Sequence, residues 1–75
     1  MKRHNLLIAL GKNIRRLRAE NGWSQEFLAD RADLDRSYMG GVERGERNIS
    51  TLNLARIAKA LGVGLDVVFD FAFKL

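Results

Sequence analysis

The stretch QEFLADRADLDRSYMGGVER, residues 25–44, decides the fold because it predicts two short helices joined by a tight turn. Such helices cross steeply only if the first contributes a small inner residue, the turn admits a left-handed residue and apolar side chains fill the junction. Ala29 is the small residue, and Asp33 occupies the turn, where Asp tolerates a positive φ better than most residues. The apolar residues of the junction are Leu28, Ala32, Leu34, Met39 and Val42. Because all the requirements are met together, a steeply crossed helix pair is predicted here.

Helical spacing of apolar residues continues on both sides of this pair, and the alternation typical of strands is absent. Upstream, we predict a first helix from about Asn5 to Glu20, ended by Asn21 and Gly22, which both tolerate a positive φ. Its buried stripe is predicted to be Leu7, Leu10, Ile14 and Leu17, with Lys12, Arg15 and Arg16 facing outward.

The starts of the remaining helices are predicted from N-cap residues, whose side chains accept hydrogen bonds from the first backbone N–H groups of a helix. The predicted caps of the second, third and fourth helices are Ser24, Asp35, and Ser50 or Thr51. The second helix should end near Arg31 and the third near Arg44. The fourth should end before Gly62, and a fifth should run from Leu65 to about Phe73. The inward residues of the second and fourth helices are predicted to be Phe27, Leu28, Ala29, Ala32, Leu54, Ile57, Ala58 and Leu61. The apolar residues of the fifth are Leu65, Val68 and Phe69, with Phe71 to Phe73 as further candidates. The sequence therefore predicts an all-α fold of five short helices.

The composition limits what the protein does. Its 75 residues leave room for one domain, residues 1–75, and 13 Lys and Arg against 9 Asp and Glu give a net charge of +4, which favours nucleic acid as partner. The absence of cysteine and the single histidine, His4, argue against disulfides, metal sites and Ser-His-Asp catalysis. Paired carboxylates, a nucleophile–base set and a phosphate-binding glycine loop are also absent from the sequence. We expect no enzyme, no cofactor and no metal, and no small-molecule ligand is evident.

The N-terminal segment predicts neither export nor membrane insertion. Lys2 and Arg3 precede an apolar run over residues 6–10. That run is far shorter than the roughly 20 residues of a membrane helix, and no small-residue cleavage site follows it. We therefore expect a cytoplasmic, nucleoid-associated protein without membrane contact.

Three stretches resemble one protein family: IRRLRAENGWSQEFLA at 14–29, VERGERN at 42–48 and LARIAKALGV at 54–63. They are similar to the Xre/Cro family of helix-turn-helix proteins, which share the fold of lambdoid phage repressors, and the resemblance spans residues 10–69. Within that family, LDRSYMGGVERGERN at 34–48 resembles the small dimeric controller proteins of restriction–modification systems. The resemblance implies a compact, five-helix, lambda-repressor-like DNA-binding domain with a central helix-turn-helix. The chain departs from the family at Asp33, where glycine is common, and in its first ten residues, which extend the first helix.

The third helix is implied by this resemblance to enter the DNA major groove with its N-terminal residues at the base edges. Arg36 is the predicted guanine contact, and a surface pair with Asp33 or Asp35 is the alternative. Ser37 and Tyr38 are further predicted base contacts. The alternatives are a serine that only faces solvent and a tyrosine ring that packs on the edge of the core.

Two glycines inside this helix also have a predicted role. Gly40 and Gly41 cost roughly 1 kcal/mol each relative to alanine inside a helix. A helical wheel puts them opposite the buried Met39 and Val42, so their backbone is predicted to approach the bases closely. Surface glycines tolerated without a function are the alternative.

Phosphate contacts are predicted to flank the third helix. Gln25 opens the second helix, where free N–H groups and the helix dipole attract an anion. By resemblance the phosphate contacts are Gln25, Arg44, Arg47 and Asn48, with solvated polar side chains as the alternative. The resemblance also implies a structural salt bridge between Arg18 and Glu43. Trp23 is expected to pack beneath the turn after the first helix rather than to stack on a base.

The C-terminal segment LDVVFDFAFKL, residues 65–75, carries more apolar residues than one helix face buries. An exposed apolar patch on a small protein indicates an interface. We predict a two-fold dimer through about 61–75, with Leu61, Val67, Phe69, Phe71 and Phe73 at the interface. A tail folded back on its own core is the alternative.

The function predicted from these features is a sequence-specific, dimeric transcription regulator on double-stranded DNA with a pseudo-palindromic operator. A controller protein, a phage-type repressor and a stand-alone regulator remain open within that class. An antitoxin-like module that blocks a partner enzyme is the main rival, and the end of the chain at Leu75, without a neutralising tail, is taken to weigh against it. RNA binding is disfavoured because no exposed aromatic pair on a sheet and no GXXG loop is present.

Overall fold

A computed structural model of the chain describes residues 4–73, which form five helices and no strand. The helices are α1 (Asn5–Glu20), α2 (Gln25–Ala32), α3 (Arg36–Glu43), α4 (Thr51–Leu61) and α5 (Leu65–Val68). The predicted all-α, five-helix fold is confirmed. Lys2, Arg3 and the last two residues of the proposed dimer segment lie outside the described residues. Within residues 4–73, no helix has both the length and the apolar character needed to cross a bilayer.

The helix starts follow from local side-chain chemistry. Ser24 Oγ accepts the N–H of Phe27 at 3.0 Å, and Ser50 Oγ accepts that of Asn53 at 3.1 Å. The Asp35 carboxylate accepts the N–H of Tyr38 at 3.2 Å. All three satisfy backbone donors that the helix itself leaves without partners. An unforeseen cap begins α1, where His4 Nδ1 accepts the N–H of Leu6 at 3.0 Å.

The turn between α2 and α3 is left-handed, as the sequence predicted. Asp33 has φ 57° and ψ 45° and is the one residue other than glycine with a positive φ in the described chain. The N–H of Leu34 returns to the carbonyl of Ala29 at 2.9 Å and closes the turn. A left-handed conformation costs an L-residue roughly 1–2 kcal/mol, so Asp33 stores strain that a glycine at this position would avoid.

The core lies where the five helices meet, and each helix contributes one fully buried side chain: Ile14, Leu28, Met39, Ile57 and Val68. One residue expected to face inward, Phe27, is exposed instead. Phe27 is 45% exposed because it lies against the Trp23 ring, with centroids 5.0 Å apart, on the outer side of α2. Leu65 is 39% exposed on the outer side of α5. Leu7 is only half-buried.

The fifth helix is shorter than predicted, since it ends at Val68 rather than near Phe73. A distant side chain stops it. Asn13 Nδ2 donates to the carbonyls of Val67 at 3.1 Å and Val68 at 2.7 Å, the groups that would accept from the next helical turn. The chain then turns, and the N–H of Phe71 donates to the carbonyl of Phe69. The buried Asn13 thus joins α1 to the C-terminal segment.

The crossing of α1 and α3 depends on a glycine. Gly11 is buried, and a Cβ built on it would lie 2.5 Å from the carbonyl oxygen of Glu43 and still closer to that of Val42. Real Cβ atoms do not approach backbone oxygens this closely. The absence of a side chain at Gly11 therefore sets how closely α1 lies against the C-terminal end of α3.

Candidate nucleic-acid interface

The third helix presents its N-terminal end to solvent. Met39 and Val42 are buried, as predicted, whereas Arg36 and Ser37 are exposed. The Arg36 guanidinium forms no ion pair or hydrogen bond with any residue of the described range 4–73, so the alternative pair with Asp33 or Asp35 is not formed. An exposed guanidinium at the start of a helix has all its donors available to an external acceptor.

Tyr38 lies at the boundary between the core and this exposed face. Its hydroxyl accepts a hydrogen bond from Asn53 Nδ2 at 3.2 Å, and the Arg47 guanidinium carbon lies 5.5 Å from the centre of its ring. The ring is half-buried against the core. Tyr38 is therefore held between α4 and the loop after α3, with its hydroxyl at the surface. Sequence reasoning missed Asn53, because no local spacing indicates a contact between residues 15 positions apart.

Gly40 and Gly41 are buried beneath neighbouring side chains rather than open to solvent. A Cβ on Gly40 would lie 3.1 Å from Arg44 Nη1 and 3.4 Å from Gln25 Oε1, and one on Gly41 would lie 3.0 Å from Arg47 Cγ. Long side chains from neighbouring segments thus fill the space that the glycines leave. A backbone contact with bases would first require Arg44 and Arg47 to move aside, and it stays a prediction.

The predicted phosphate-binding residues gather around α3. Gln25, at the start of α2, reaches across to α3 and donates from Nε2 to Glu43 Oε1 at 3.0 Å. Arg44 is exposed and donates from Nε to Glu46 Oε1 at 3.0 Å. Arg47 and Asn48 are exposed in the loop that follows. We call the surface formed by Gln25, Arg36, Ser37, Tyr38, Arg44, Arg47 and Asn48 the α3 face.

A buried ion pair fixes the α3 face on the rest of the molecule. Arg18 Nε donates to Glu43 Oε2 at 2.7 Å and Nη2 to Oε1 at 3.0 Å, while Nη1 donates to the carbonyl of Trp23 at 2.7 Å. The Glu43 side chain is 2% exposed and that of Arg18 is 13% exposed. The hydrogen bonds to Glu43 raise the pKa of Arg18 above its ordinary value, so the guanidinium stays charged. This is the pair that the resemblance implied, and Gln25 adds a third partner.

Trp23 lies just before the start of α2 and packs along that helix. Its ring is partly buried against the core, lies tilted at 53° against the Phe27 ring and has the Arg31 guanidinium carbon 4.9 Å from its centre. Trp23 is thus a packing residue shared by α2 and the α1–α2 turn. Its position between these side chains offers no support for a base-stacking role.

The proposed dimer residues fall into two groups. Leu61 is buried in the chain's own core, so its assignment to the interface is wrong, because a side chain already enclosed by α4 and its neighbours presents no surface. Val67, Phe71 and Phe73 are half-buried, and the Phe73 ring centre lies 6.4 Å from that of His4. Phe69 remains 43% exposed. The tail thus folds back in part, and Leu65 and Phe69, four residues apart, form an exposed apolar pair.

The comparisons with known proteins agree with this geometry. A helix-turn-helix family model matches residues 14–68. The control protein C.BamHI of Bacillus amyloliquefaciens is 41% identical over 69 residues, covering 91% of this chain and 85% of that protein. The restriction–modification controller protein C.AhdI of Aeromonas hydrophila superposes with a TM-score of 0.87 at 45% identity, covering 88% of this chain and all of that one.

One of the similar solved structures contains DNA. The restriction–modification controller protein C.Esp1396I, as a tetramer in complex with its natural 35 base-pair operator, superposes with a TM-score of 0.79 at 42% identity over 88% of this chain and 86% of that one. The matched family consists of DNA-binding regulators rather than enzymes. The chain belongs to the Xre/Cro-type helix-turn-helix family and is similar, within it, to the controller proteins of restriction–modification systems.

Proposed function

We propose that the protein is a sequence-specific transcription regulator that binds a pseudo-palindromic operator as a homodimer, in the role of a restriction–modification controller protein. The observation that carries the proposal is the α3 face, where an exposed Arg36 at the start of α3, without a partner in residues 4–73, is flanked by exposed Arg44, Arg47 and Asn48. The related C.Esp1396I, solved as a tetramer with its natural 35 base-pair operator, supports operator DNA as the partner. As a DNA-binding transcription regulator, it would act on the nucleoid, within the cytoplasm.

Arg36 is proposed to read a guanine, and Ser37 and Tyr38 to contribute weaker base contacts. A guanidinium donates two parallel hydrogen bonds to guanine O6 and N7, the commonest specific contact in the major groove. Gln25, Arg44, Arg47 and Asn48 are proposed to bind phosphates, which position the helix and carry no base information. The free backbone N–H groups at the start of α2 would also donate hydrogen bonds to a phosphate.

Replacing Arg36 by alanine is expected to weaken binding to the preferred operator by about 1–3 kcal/mol. The measurement is selection of bound duplexes from a random pool, done in parallel for the wild type and the variant, followed by titration of the selected duplex. The variant should lose the preference for guanine at one position of each half-site. Its fold should be unaffected, because Arg36 has no partner within residues 4–73.

The matched control for this experiment is Arg15→Ala, which removes the same charge from the exposed side of α1. It should lower affinity only slightly and leave the selected sequence unchanged. An Arg36→Ala variant that selects the wild-type sequence with undiminished preference would contradict the assignment of Arg36 as a base-reading residue.

The dimer is proposed to form through the C-terminal segment, about 61–75, of the single domain 1–75. Leu65 and Phe69 form its exposed apolar pair, and Val67, Phe71 and Phe73 border it. A two-fold arrangement of two α3 faces would match two half-sites about 34–36 Å apart, one turn of duplex. The tetramer on a 35 base-pair operator in the related C.Esp1396I leaves room for two such dimers.

The double variant Leu65→Ser/Phe69→Ser is expected to raise the dissociation constant of the dimer at least about 50-fold, because apolar surface is lost from both copies. Sedimentation equilibrium should give the mass of two chains for the wild type and of one chain for the variant at the same concentration. Phe27→Ser is the control, since it removes an equally exposed aromatic from α2. A variant that stays dimeric would place the interface elsewhere.

The rival function, an antitoxin-like module that blocks a partner enzyme, is not favoured. The similar proteins with named functions include control proteins and repressors. Co-purification of the protein in a stable one-to-one complex with an enzyme would reverse this ranking.

A further inference from the structure

Three cationic side chains converge on an open cleft between the end of α2 and the C-terminal half of α4. The cleft has a volume of about 310 Å³ and is lined by Arg31, Ala32, Asp33, Arg56, Lys59 and Ala60. Three cations and one carboxylate give its walls a net charge of +2. Its volume lies at the lower end of the range for small-molecule sites. The cleft adjoins the C-terminal end of α2, whereas Gln25 lies at the other end of that eight-residue helix.

Arg31 is held in a fixed position at the edge of this cleft. Its Nε donates to the carbonyl of Ala60 at 3.2 Å. The guanidinium carbon lies 4.9 Å from the centre of the Trp23 ring and 5.8 Å from that of Phe27. The terminal amino groups have no acceptor within residues 4–73. A guanidinium that is stacked in place and keeps free N–H groups is suited to bind a carboxylate or phosphate in a bidentate way.

Arg56 and Lys59, three residues apart on α4, supply the remaining charge. Lys59 forms no ion pair with any residue of the described chain, and Asp33 pairs with none of the three cations there. Arg56 Nη1 donates to Asn53 Oδ1 at 3.3 Å, a long and exposed hydrogen bond. The cleft therefore holds three positive charges that form no ion pair within the described part of the protein, and the net charge of its walls stays at +2.

We propose that this cleft binds a small oxyanion with at least two negative charges, such as a phosphate or a polycarboxylate. The anion accepts two hydrogen bonds from Arg31 and is neutralised by Arg56 and Lys59. It competes with Asn53 for the guanidinium of Arg56. Because Asn53 Nδ2 also donates to the hydroxyl of Tyr38 at 3.2 Å, binding in the cleft alters the surroundings of a residue on the α3 face. The proposal concerns the protein alone and does not depend on DNA binding.

The test is a titration of the nitrogen-15-labelled protein with inorganic phosphate and, separately, with citrate, at constant pH and at an ionic strength kept constant with chloride. Nuclear magnetic resonance follows the Nε–Hε groups of the arginines and the side-chain amide of Asn53. We expect saturable shifts at Arg31, Arg56 and Asn53, and none when chloride alone is exchanged for another monovalent anion. The double variant Arg56→Gln/Lys59→Gln should weaken binding about tenfold or more.

The matched control is Lys12→Gln/Arg15→Gln, which removes two charges from the exposed side of α1 and should leave the affinity unchanged. Shifts that do not saturate, or that spread equally over all exposed arginines, would overturn the proposal. Equal weakening in the control variant would overturn it as well.

A third titration uses a short polyglutamate peptide. If the peptide binds while phosphate and citrate do not, the site takes an acidic protein partner and the small-anion assignment is wrong.

Discussion

Replacing Gly11 by alanine is expected to lower the free energy of unfolding by about 3 kcal/mol or more, or to prevent folding. The new methyl group would meet the carbonyl oxygens of Val42 and Glu43, which belong to the backbone of α3 and cannot rotate away. Overpacking a close contact costs typically 1–3 kcal/mol, and a backbone clash lies at the upper end. This loss exceeds the roughly 1 kcal/mol that alanine gains over glycine within a helix. A domain of this size has only about 5 kcal/mol of stability to lose.

The measurement is urea unfolding followed by circular dichroism, with Gly40→Ala as the matched control. A Cβ on Gly40 meets the far end of the Arg44 side chain at 3.1 Å, and a flexible side chain moves at little cost. Gly40→Ala should therefore be neutral or stabilising by up to about 1 kcal/mol. Equal stability of the two alanine variants would contradict the close crossing of α1 and α3.

Replacing Arg18 by leucine is expected to cost about 3–5 kcal/mol, because it leaves the Glu43 carboxylate buried without its principal partner. Two hydrogen bonds to Glu43 and one to the carbonyl of Trp23 disappear together. The remaining donor, Gln25 Nε2, cannot supply a positive charge. Urea unfolding gives the free energy of the variant.

The double variant Arg18→Leu/Glu43→Leu provides the decisive comparison. Replacing both partners removes the stranded charge, so the double variant should recover most of the stability lost in Arg18→Leu. The single variant Glu43→Leu completes the comparison. If the losses of stability in Arg18→Leu and Glu43→Leu simply add in the double variant, the two side chains contribute through packing and not through the coupling of their charges. The exposed pair Arg16–Glu20 on α1, with N···O 2.7 Å, is the control, and its disruption should cost less than about 1 kcal/mol.

Much of the fold follows from local chemistry and was therefore predictable. Ser24, Asp35 and Ser50 cap their helices through contacts within three residues, and Asp33 takes the left-handed conformation that its place in the turn demands. The end of α5 is different. It is determined by Asn13, more than 50 positions away, and no local pattern reports such a contact.

The candidate site was predictable to a similar degree. Resemblance located Arg36 and the pair Arg18–Glu43, because both are tied to the family's sequence pattern. For Gly40 and Gly41, a helical wheel gives directions from one helix only, so it could not show that the side chains of Gln25, Arg44 and Arg47 cover them.

Phe27 was misassigned for a related reason, since its half-exposed ring packs against the Trp23 ring, which lies outside α2. The cationic cleft also escaped the sequence analysis. Arg31 and Arg56 lie 25 positions apart and meet only because α2 packs against α4. Contacts of this kind arise from the packing of helices, and no periodicity within one helix encodes them.

The central claim is that the protein binds a specific two-fold DNA sequence through its α3 face. The most direct measurement is titration of the duplex selected from a random pool, and of a shuffled duplex of the same composition, across a series of salt concentrations. We predict a preference of at least about 1,000-fold for the selected, pseudo-palindromic duplex at physiological salt, with affinity for both falling as salt rises. Equal affinity for the two duplexes, governed by salt alone, would contradict the claim.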